Sequence, residues 1–414
     1  MTPDPEPRRY DLLLRGGRVI DPANGRDARL DVAVSGKHIA EVAADIPPEQ
    51  AERVLDVAGA LVVPGIIDMH THVYRFPAGP HSYVESMHAD AHLLASGVTT
   101  TVDAGTAGWR NFHDFKTRDI DRSKVRILAY LNIAGEGMVD AESEQNVADL
   151  DPAITAAVAQ AYPDVIVGIK TAHYWTRLPW DAEHAPWASV ERAVRAGELS
   201  GLHVMVDFWP RPPERPYPDL ILEKLRPGDI HTHVFAQQFP IIDEQGRVYE
   251  HMFRARERGV IFDLGHGAGS FWFRNAARAF RGGFYPDSIS TDLHMGNING
   301  PVLSMATTMS KCLSMGMPLV EVIARSTVAP AREIRRPELG TLSVGAEADI
   351  AVFRHLTGEF GYVDCGRAKM IGHDKLEPLL TVRAGETLYD PTGLAAPEWE
   401  HAPAAYWRMP ELQL

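Results

Sequence analysis

The stretch Val62-Val63-Pro64-Gly65-Ile66-Ile67-Asp68-Met69-His70-Thr71-His72-Val73 decides how the rest of the chain is read. It is a short apolar run, punctuated by Pro64 and Gly65 and ending in polar residues, and it reads as a fully buried parallel strand. Side chains alternate between the faces of a strand, so His70 and His72 point the same way. At the C-terminal end of an inward-facing barrel strand, two such imidazoles can share one first-row metal ion. A chain with 18 histidines also produces His-x-His by accident. The pair takes its weight from the residues that accompany it.

Outward from this strand, apolar runs alternate with helical text, the pattern of a parallel sheet with crossover helices. Eight candidate strands follow in series: Ile66 to His72, Val98 to Ala104, Arg126 to Asn132, Val165 to Lys170, Leu202 to Phe208, Asp229 to Val234, Val260 to Leu264 and Ser288 to Asp292. That number over roughly 275 residues predicts an α/β fold of the (β/α)8 TIM barrel type. A doubly wound open sheet is the alternative, but no Gly-x-Gly-x-x-Gly follows the first strand. Leu319 to Ile334 reads as a closing helix.

Both ends of the chain are written differently. Tyr10 to Leu61 and Gly340 to Tyr389 carry short alternating runs, Gly pairs and Asn24-Gly25, which favour antiparallel hairpins. Neither piece alone is large enough for a core, so the two are expected to pair into one discontinuous β-sandwich. The predicted division is residues 10–62 plus 340–392 for the sandwich, 63–339 for the barrel and 393–414 for a C-terminal extension. The extension carries Trp399, Tyr406 and Trp407, which suit packing on the surface or on a neighbouring subunit, hence a possible homo-oligomer.

The chain has 414 residues, 45% hydrophobic and 23% charged, ordinary for a globular protein with a sizeable core. A formal charge of −14 argues against nucleic-acid or anionic-membrane partners and leaves a small-molecule substrate as the expectation. Only Cys312 and Cys365 occur, without metal-type spacing, so a disulfide framework is not expected. The N-terminus lacks a signal-type apolar core and no apolar run of about 18 residues follows, which predicts a cytoplasmic protein.

Barrel enzymes place their chemistry at the C-terminal ends of strands. There the chain has His70 and His72, Lys170, Asp207, His233, Asp263 with His266, and Asp292. His266, framed by Gly265 and Gly267, suits either substrate contact or capping of the barrel mouth, and Asp263 suits a hydrogen-bonding role in fixing that loop. The loop Thr171-Ala-His-Tyr-Trp-Thr-Arg is aromatic and basic, so His173 and Tyr174 are further substrate-binding candidates; a solvated loop is the plain alternative. Pro210 to Pro218 reads as a stiff surface loop.

With these residues in view, the sequence resembles the amidohydrolase superfamily of metal-dependent hydrolases, and within it the dihydroorotase-like amidohydrolase/deacetylase branch. The matching text is Pro64-Gly-Ile-Ile-Asp-Met-His-Thr-His, Gly97-Val-Thr-Thr-Thr-Val-Asp-Ala-Gly, Gly168-Ile-Lys, Thr232-His, Phe262-Asp-Leu-Gly-His-Gly, Ser290-Thr-Asp-Leu-His and Gly345-Ala-Glu-Ala-Asp-Ile-Ala-Val-Phe. The resemblance implies a binuclear site holding zinc or another first-row metal. His70, His72 and Asp292 would bind the buried ion, Lys170 would bridge as a carbamate formed with CO2, and His233 would bind the outer ion. It further implies a metal-bound hydroxide as nucleophile, Asp292 as general base and acid, and an N-acyl amino acid or acetylated hydroxy acid as substrate. A cyclic amide hydrolase of the dihydroorotase or dihydropyrimidinase kind, a deaminase or lactonase, and a catalytically silent scaffold are the alternatives.

One departure stands out. Where the family usually ends its fifth strand with histidine as second ligand of the outer metal, this chain has Asp207, which can bind a first-row ion through oxygen. His203 shares its face but lies about 13 Å deeper along the strand. His231, two residues before His233, is about 6.6 Å below it and reads as a hydrogen-bonded barrel histidine.

Overall fold

A computed structural model describes residues 9–76, 85–140, 142–173 and 184–408. The chain opens with β1 (Tyr10–Asp21), β2 (Arg26–Ser35), β3 (His38–Ala43) and β4 (Ala51–Asp56). The stretch read above as one strand then divides into β5 (Leu61–Pro64) and β6 (Ile66–Thr71). Gly65 is the step between them. Its N–H is held by Asp349 O at 2.7 Å, and a Cβ there would run into the Thr99 side chain. The two strands therefore belong to different sheets, a division that a continuous apolar run conceals.

The first sheet is mixed and eight-stranded, and both chain ends build it. With β13 (Ile350–Val363), β14 (Lys369–Arg383) and β15 (Glu386–Tyr389), its order is β15-β14-β13-β5-β1-β2-β3, and β4 also pairs with β1. The expected two-sheet sandwich is thus corrected to one forked sheet. The first half of β1 runs parallel to β4, and beyond the irregularity at Gly16 and Gly17 its second half runs parallel to β5. Leu12, Leu14, Val34, Leu55, Val62, Ile350, Leu380 and Val382 fill the small core along the fork.

The second sheet is parallel and curled. Its seven strands lie in chain order: β6, β7 (Val98–Gly108), β8 (Arg126–Asn132), β9 (Ile166–His173), β10 (His203–Phe208), β11 (Ile230–His231) and β12 (Ile261–Phe262). All residues of β6, β7 and β10 are buried, as a parallel sheet covered by helices requires. The eighth candidate, Ser288 to Asp292, is not a strand. It spans the gap between the sheet edges through single bridges, Asp263 to Ser288 on one side and Thr71 to Leu293 on the other. Its carbonyls accept from the Leu264, His266 and Gly267 amides, and the Asp292 amide donates to His70 O, while Gly265, Gly267 and Asp292 all turn to positive φ there and interrupt a regular ladder.

The crossover helices follow local rules. Pro152–Ala161 starts at Asp151, whose carboxylate accepts from the Ala153 and Ile154 amides, and Ala188–Ser200 ends at Gly201 with φ 76°. The closing helix breaks into Leu319–Ala324 and Val328–Glu333. Pro330 has no amide hydrogen and its ring excludes the carbonyl four residues back, so one continuous helix cannot form. Arg126 joins the two sheets from β8, reaching Glu347 at 2.6 Å and Asp349 at 2.7 Å. In the C-terminal segment Trp399, Tyr406 and Trp407 cluster with one another and stay more than half exposed. Among the described residues, no helix is long and apolar enough to cross a membrane.

Candidate metal centre

Because β6 is pleated, Asp68, His70 and His72 share a face, and the chain from Ser288 onward brings Asp292 up to them. The ligand atoms of His70, His72 and Asp292 lie within 4.8 Å of one another, which makes this trio able to hold a metal ion. Asp292 Oδ1 is 3.0 Å from His72 Nε2 and 3.6 Å from His70 Nε2. The His233 ring lies 4.9 Å from that of His70, with its Nε2 4.0 Å from Asp292 Oδ2 and 3.1 Å from Asp207 Oδ2. Residues from β6, β10, the turn after β11 and the 288–292 segment therefore meet in one small volume.

The opposite nitrogen of each imidazole is engaged. His233 Nδ1 lies 2.6 Å from Gly265 O, and a carbonyl only accepts, so Nδ1 carries the hydrogen and Nε2 faces the carboxylates. His72 Nδ1 meets the Thr106 hydroxyl at 2.7 Å. His70 Nδ1 meets Thr232 Oγ1 at 2.9 Å, and that hydroxyl donates to Asp263 Oδ2 at 2.7 Å, leaving it to accept from His70. All three rings thus present Nε2, the arrangement in which outer partners orient metal ligands.

Electrostatics separates the members. Burial holds the His70 imidazole well below its usual range, with neighbouring Lys170 and His233 adding to the effect. Neutral imidazole is the form that binds metal. Burial also acts against charge on His233, but the Asp207 and Asp292 carboxylates outweigh it and push this ring up to about 9. For Asp292 burial opposes ionisation, and the hydrogen bond and charge of His72 reverse the balance, bringing it below the ordinary carboxylate range.

Lys170, on β9 opposite Asn132 of β8, is fully buried, and among the described residues its Nζ has no hydrogen-bond partner. Only a glycine fits beside it, since a Cβ on Gly105 would lie 2.5 Å from Lys170 Cγ. A buried amine left unpaired is costly. A carbamate formed there with CO2 would carry negative charge suited to nearby cations, so the residues present fit the implied metal-and-carbamate arrangement.

Backbone strain falls on the same spot. His233 and Asp292 have φ of 62° and 52°, a left-handed conformation that costs a non-glycine residue about 1 kcal/mol or more. Gly265 and Gly267 make room for them: added Cβ atoms would lie 2.7 Å from His233 Nδ1 and 2.6 Å from Asp292 Oδ2.

Other expected site residues lie elsewhere. His266 does not offer itself to a substrate: its ring is fully buried, Nδ1 meets Gly267 O at 3.0 Å, and Nε2 meets Lys311 Nζ at 2.7 Å. With both nitrogens used and Phe271 stacked on it at 4.5 Å, it caps this end of the sheet, correcting its place among the substrate contacts. Asp263 accepts from Thr232, Ser288 and Ser290, tying neighbouring strand ends together. His231 is corrected in a different way. Among the described residues neither of its ring nitrogens has a hydrogen-bond partner, and Tyr217, Phe239 and Phe262 surround it. His203 sits deep, 3.4 Å from the Tyr130 hydroxyl. His173 ends β9, but its side chain and all of Tyr174 lie outside the described residues.

Four neighbours escaped sequence reasoning. Thr106 and Thr232 look like ordinary strand threonines; only Thr232, directly before His233, had a positional signal. Glu144, buried after β8, accepts from Asn132 Nδ2 at 3.2 Å, and burial pushes its carboxyl up to about 8 despite Asn132 and Lys170. His294, two residues after Asp292, brings its ring to 6.3 Å from His72.

A curled parallel sheet with a histidine-rich, metal-competent mouth and a second sheet from both chain ends defines a metallohydrolase-type architecture. Comparison with known proteins makes this specific. No family model matches the chain. A deacetylase of Enterococcus faecalis is 30% identical over 384 residues, covering 92% of this chain and 99% of that one. A solved adenine deaminase superposes with a TM-score of 0.82 at 29% identity, covering 92% of this chain and all of that one. A solved dihydroorotase gives 0.79 at 29% identity, covering 92% and 97%. The chain belongs to the amidohydrolase superfamily, with deacetylase relatives over most of its length.

Proposed function

We propose that this protein hydrolyses an amide or ester bond in a small molecule, as a deacetylase acting on an N-acyl amino acid or an acetylated hydroxy acid. The observation that carries the reading is the meeting of His70, His72 and Asp292 in a chain whose relative along nearly its full length is a deacetylase. In this reading residues 63–339 act as the hydrolase barrel, with the segment 288–292 spanning the gap between the edges of its seven-stranded sheet, and residues 10–62 with 340–392 form the flanking domain. The work is cytoplasmic, on a diffusible substrate.

His70, His72 and Asp292 would hold a buried ion, zinc in the first instance. His233, Asp207 and a carbamate on Lys170 would hold a second. Such cations, when bound, supply Lewis acidity toward a carbonyl oxygen and acidify water. The protein's own part is proton transfer and alignment. Asp292, ionised and held by His72, accepts a proton from the attacking water at its carboxylate and returns it to the departing nitrogen or oxygen. Thr106, Thr232 and Gly265 keep the imidazoles from rotating, and the strained backbone at His233 and Asp292 fixes where the carboxylate points.

The test is an Asp292→Asn variant assayed on N-acetyl amino acids, acetylated hydroxy acids and cyclic amides, with metal content measured in parallel. The expected result is a folded protein whose turnover falls by about 100-fold or more. Unchanged turnover on the best substrate would overturn the role of Asp292, and metal-free wild-type protein with full activity would overturn the reading. The dihydroorotase structure is the reason for including cyclic amides.

A further inference from the structure

The two halves of this centre are not chemically alike. The inner half presents His70 Nε2 and His72 Nε2 to Asp292 Oδ1, two nitrogens and one oxygen. The outer half presents His233 Nε2, with Asp207 Oδ2 at 3.1 Å and Asp292 Oδ2 at 4.0 Å, beside Lys170 Nζ, which has no hydrogen-bond partner among the described residues. A carbamate on that amine would add only oxygen. The outer half is therefore one nitrogen among oxygens.

Among the described residues, neither of the other histidines on β10 and β11 can restore the balance. His203 is bound to Tyr130 further down the same strand, and His231 is enclosed by Tyr217, Phe239 and Phe262. Asp207 itself is 3% exposed, so bulk water does not dilute its carboxylate. Imidazole suits zinc, whereas carboxylate and water oxygens suit manganese and magnesium. Replacing one imidazole by a carboxylate costs zinc more than it costs manganese.

Resting on the metallohydrolase reading above, we infer that Asp207 makes this a mixed-metal centre: a nitrogen-rich inner half that selects zinc, beside an oxygen-rich outer half shifted toward a harder divalent ion such as Mn2+. In this scheme Asp207 sets which ion sits outside and does not touch the inner ion.

The experiment uses the full-length chain, stripped with a chelator and given one equivalent of Zn2+ in bicarbonate buffer. Equal excesses of Mn2+ and Zn2+ are then added, loose ions are removed, and bound metals are counted by mass spectrometry with Mn2+ paramagnetic resonance as a second readout. Wild type, Asp207→His and Asp207→Asn are compared, with circular dichroism to confirm folding. Two bound ions are expected in wild type, with a Mn:Zn ratio at the second position at least fivefold higher than in Asp207→His. Asp207→Asn, which keeps the shape but loses the charge, is expected to hold less Mn2+ than wild type.

A ratio that changes less than fivefold between wild type and Asp207→His, with two ions in each, would overturn this inference and leave the hydrolase reading standing. A single ion in wild type at any Mn2+ excess would do the same. Should Asp207→His fail to fold, Mn2+ binding in Asp207→Asn equal to wild type would overturn it. No ion retained even at the first equivalent would overturn the inference and the reading beneath it together.

Discussion

The inner and outer halves of the candidate centre arise from the same device, polar residues at the ends of parallel strands, yet they are held in place differently. On the inner side, both imidazoles are oriented by threonine hydroxyls, one of them backed by Asp263, and the trio already lies within ligand distance. On the outer side, His233 is paired with Asp207, and Lys170 has no hydrogen-bond partner among the described residues. The inner rings are oriented by hydroxyls, the outer ring by the Gly265 carbonyl and a carboxylate. The two halves thus point Nε2 inward by different partners.

Breaking the outer half should have the largest effect on the comparison. Lys170→Ala is expected to lose the outer ion, retain the inner one and lower turnover by about 100-fold or more, measured by metal counting alongside kcat. Loss of both ions together would mean that the halves are not independent. Gly267→Ala probes the inner half, because the new Cβ would press on Asp292 Oδ2 at 2.6 Å and the residue has φ of 56°. We expect a stability loss of about 1–3 kcal/mol, read from urea unfolding, and a fall in kcat of about tenfold. KM should change less.

The smallest effect concerns the floor beneath the outer half. Burial depresses His203 to about 3, below the value of an unfolded histidine near 6.5. Above pH 6.5 its neutral form costs nothing. As pH falls from 6.5 toward 3 the unfolded chain takes up a proton that the native ring refuses, so stability is lost across that window. His203→Leu should lose less stability than wild type between pH 7 and pH 4.5, measured by the urea midpoint at each pH. An identical pH dependence in the two proteins would show that His203 is not the group responsible.

Much of this architecture was legible because it is written locally. Alternation and apolar runs located the seven strands of the curled sheet to within a few residues, since each strand's burial is recorded in its own composition. The His-x-His pair, Lys170, His233 and Asp292 were legible because strand ends are where a parallel sheet puts its polar residues. Less visible was anything decided by a partner distant in sequence. Nothing in Val62 to Val73 distinguishes a strand of one sheet from two strands of two; that division depends on Asp349 and Thr99 meeting Gly65.

By itself, then, the sequence determined the order of the elements, the pairing of the two chain ends and the His70, His72 and Asp292 trio as candidates for a metal. The tertiary structure alone decided the rest: that the flanking strands form one forked sheet, that 288–292 bridges the gap without a regular ladder, and that His266 is consumed by Gly267 O and Lys311. The physical reason is that composition records whether a side chain is buried. Which groups meet it there depends on contacts closed across hundreds of residues, and those contacts determine whether a histidine binds a metal or holds up a loop.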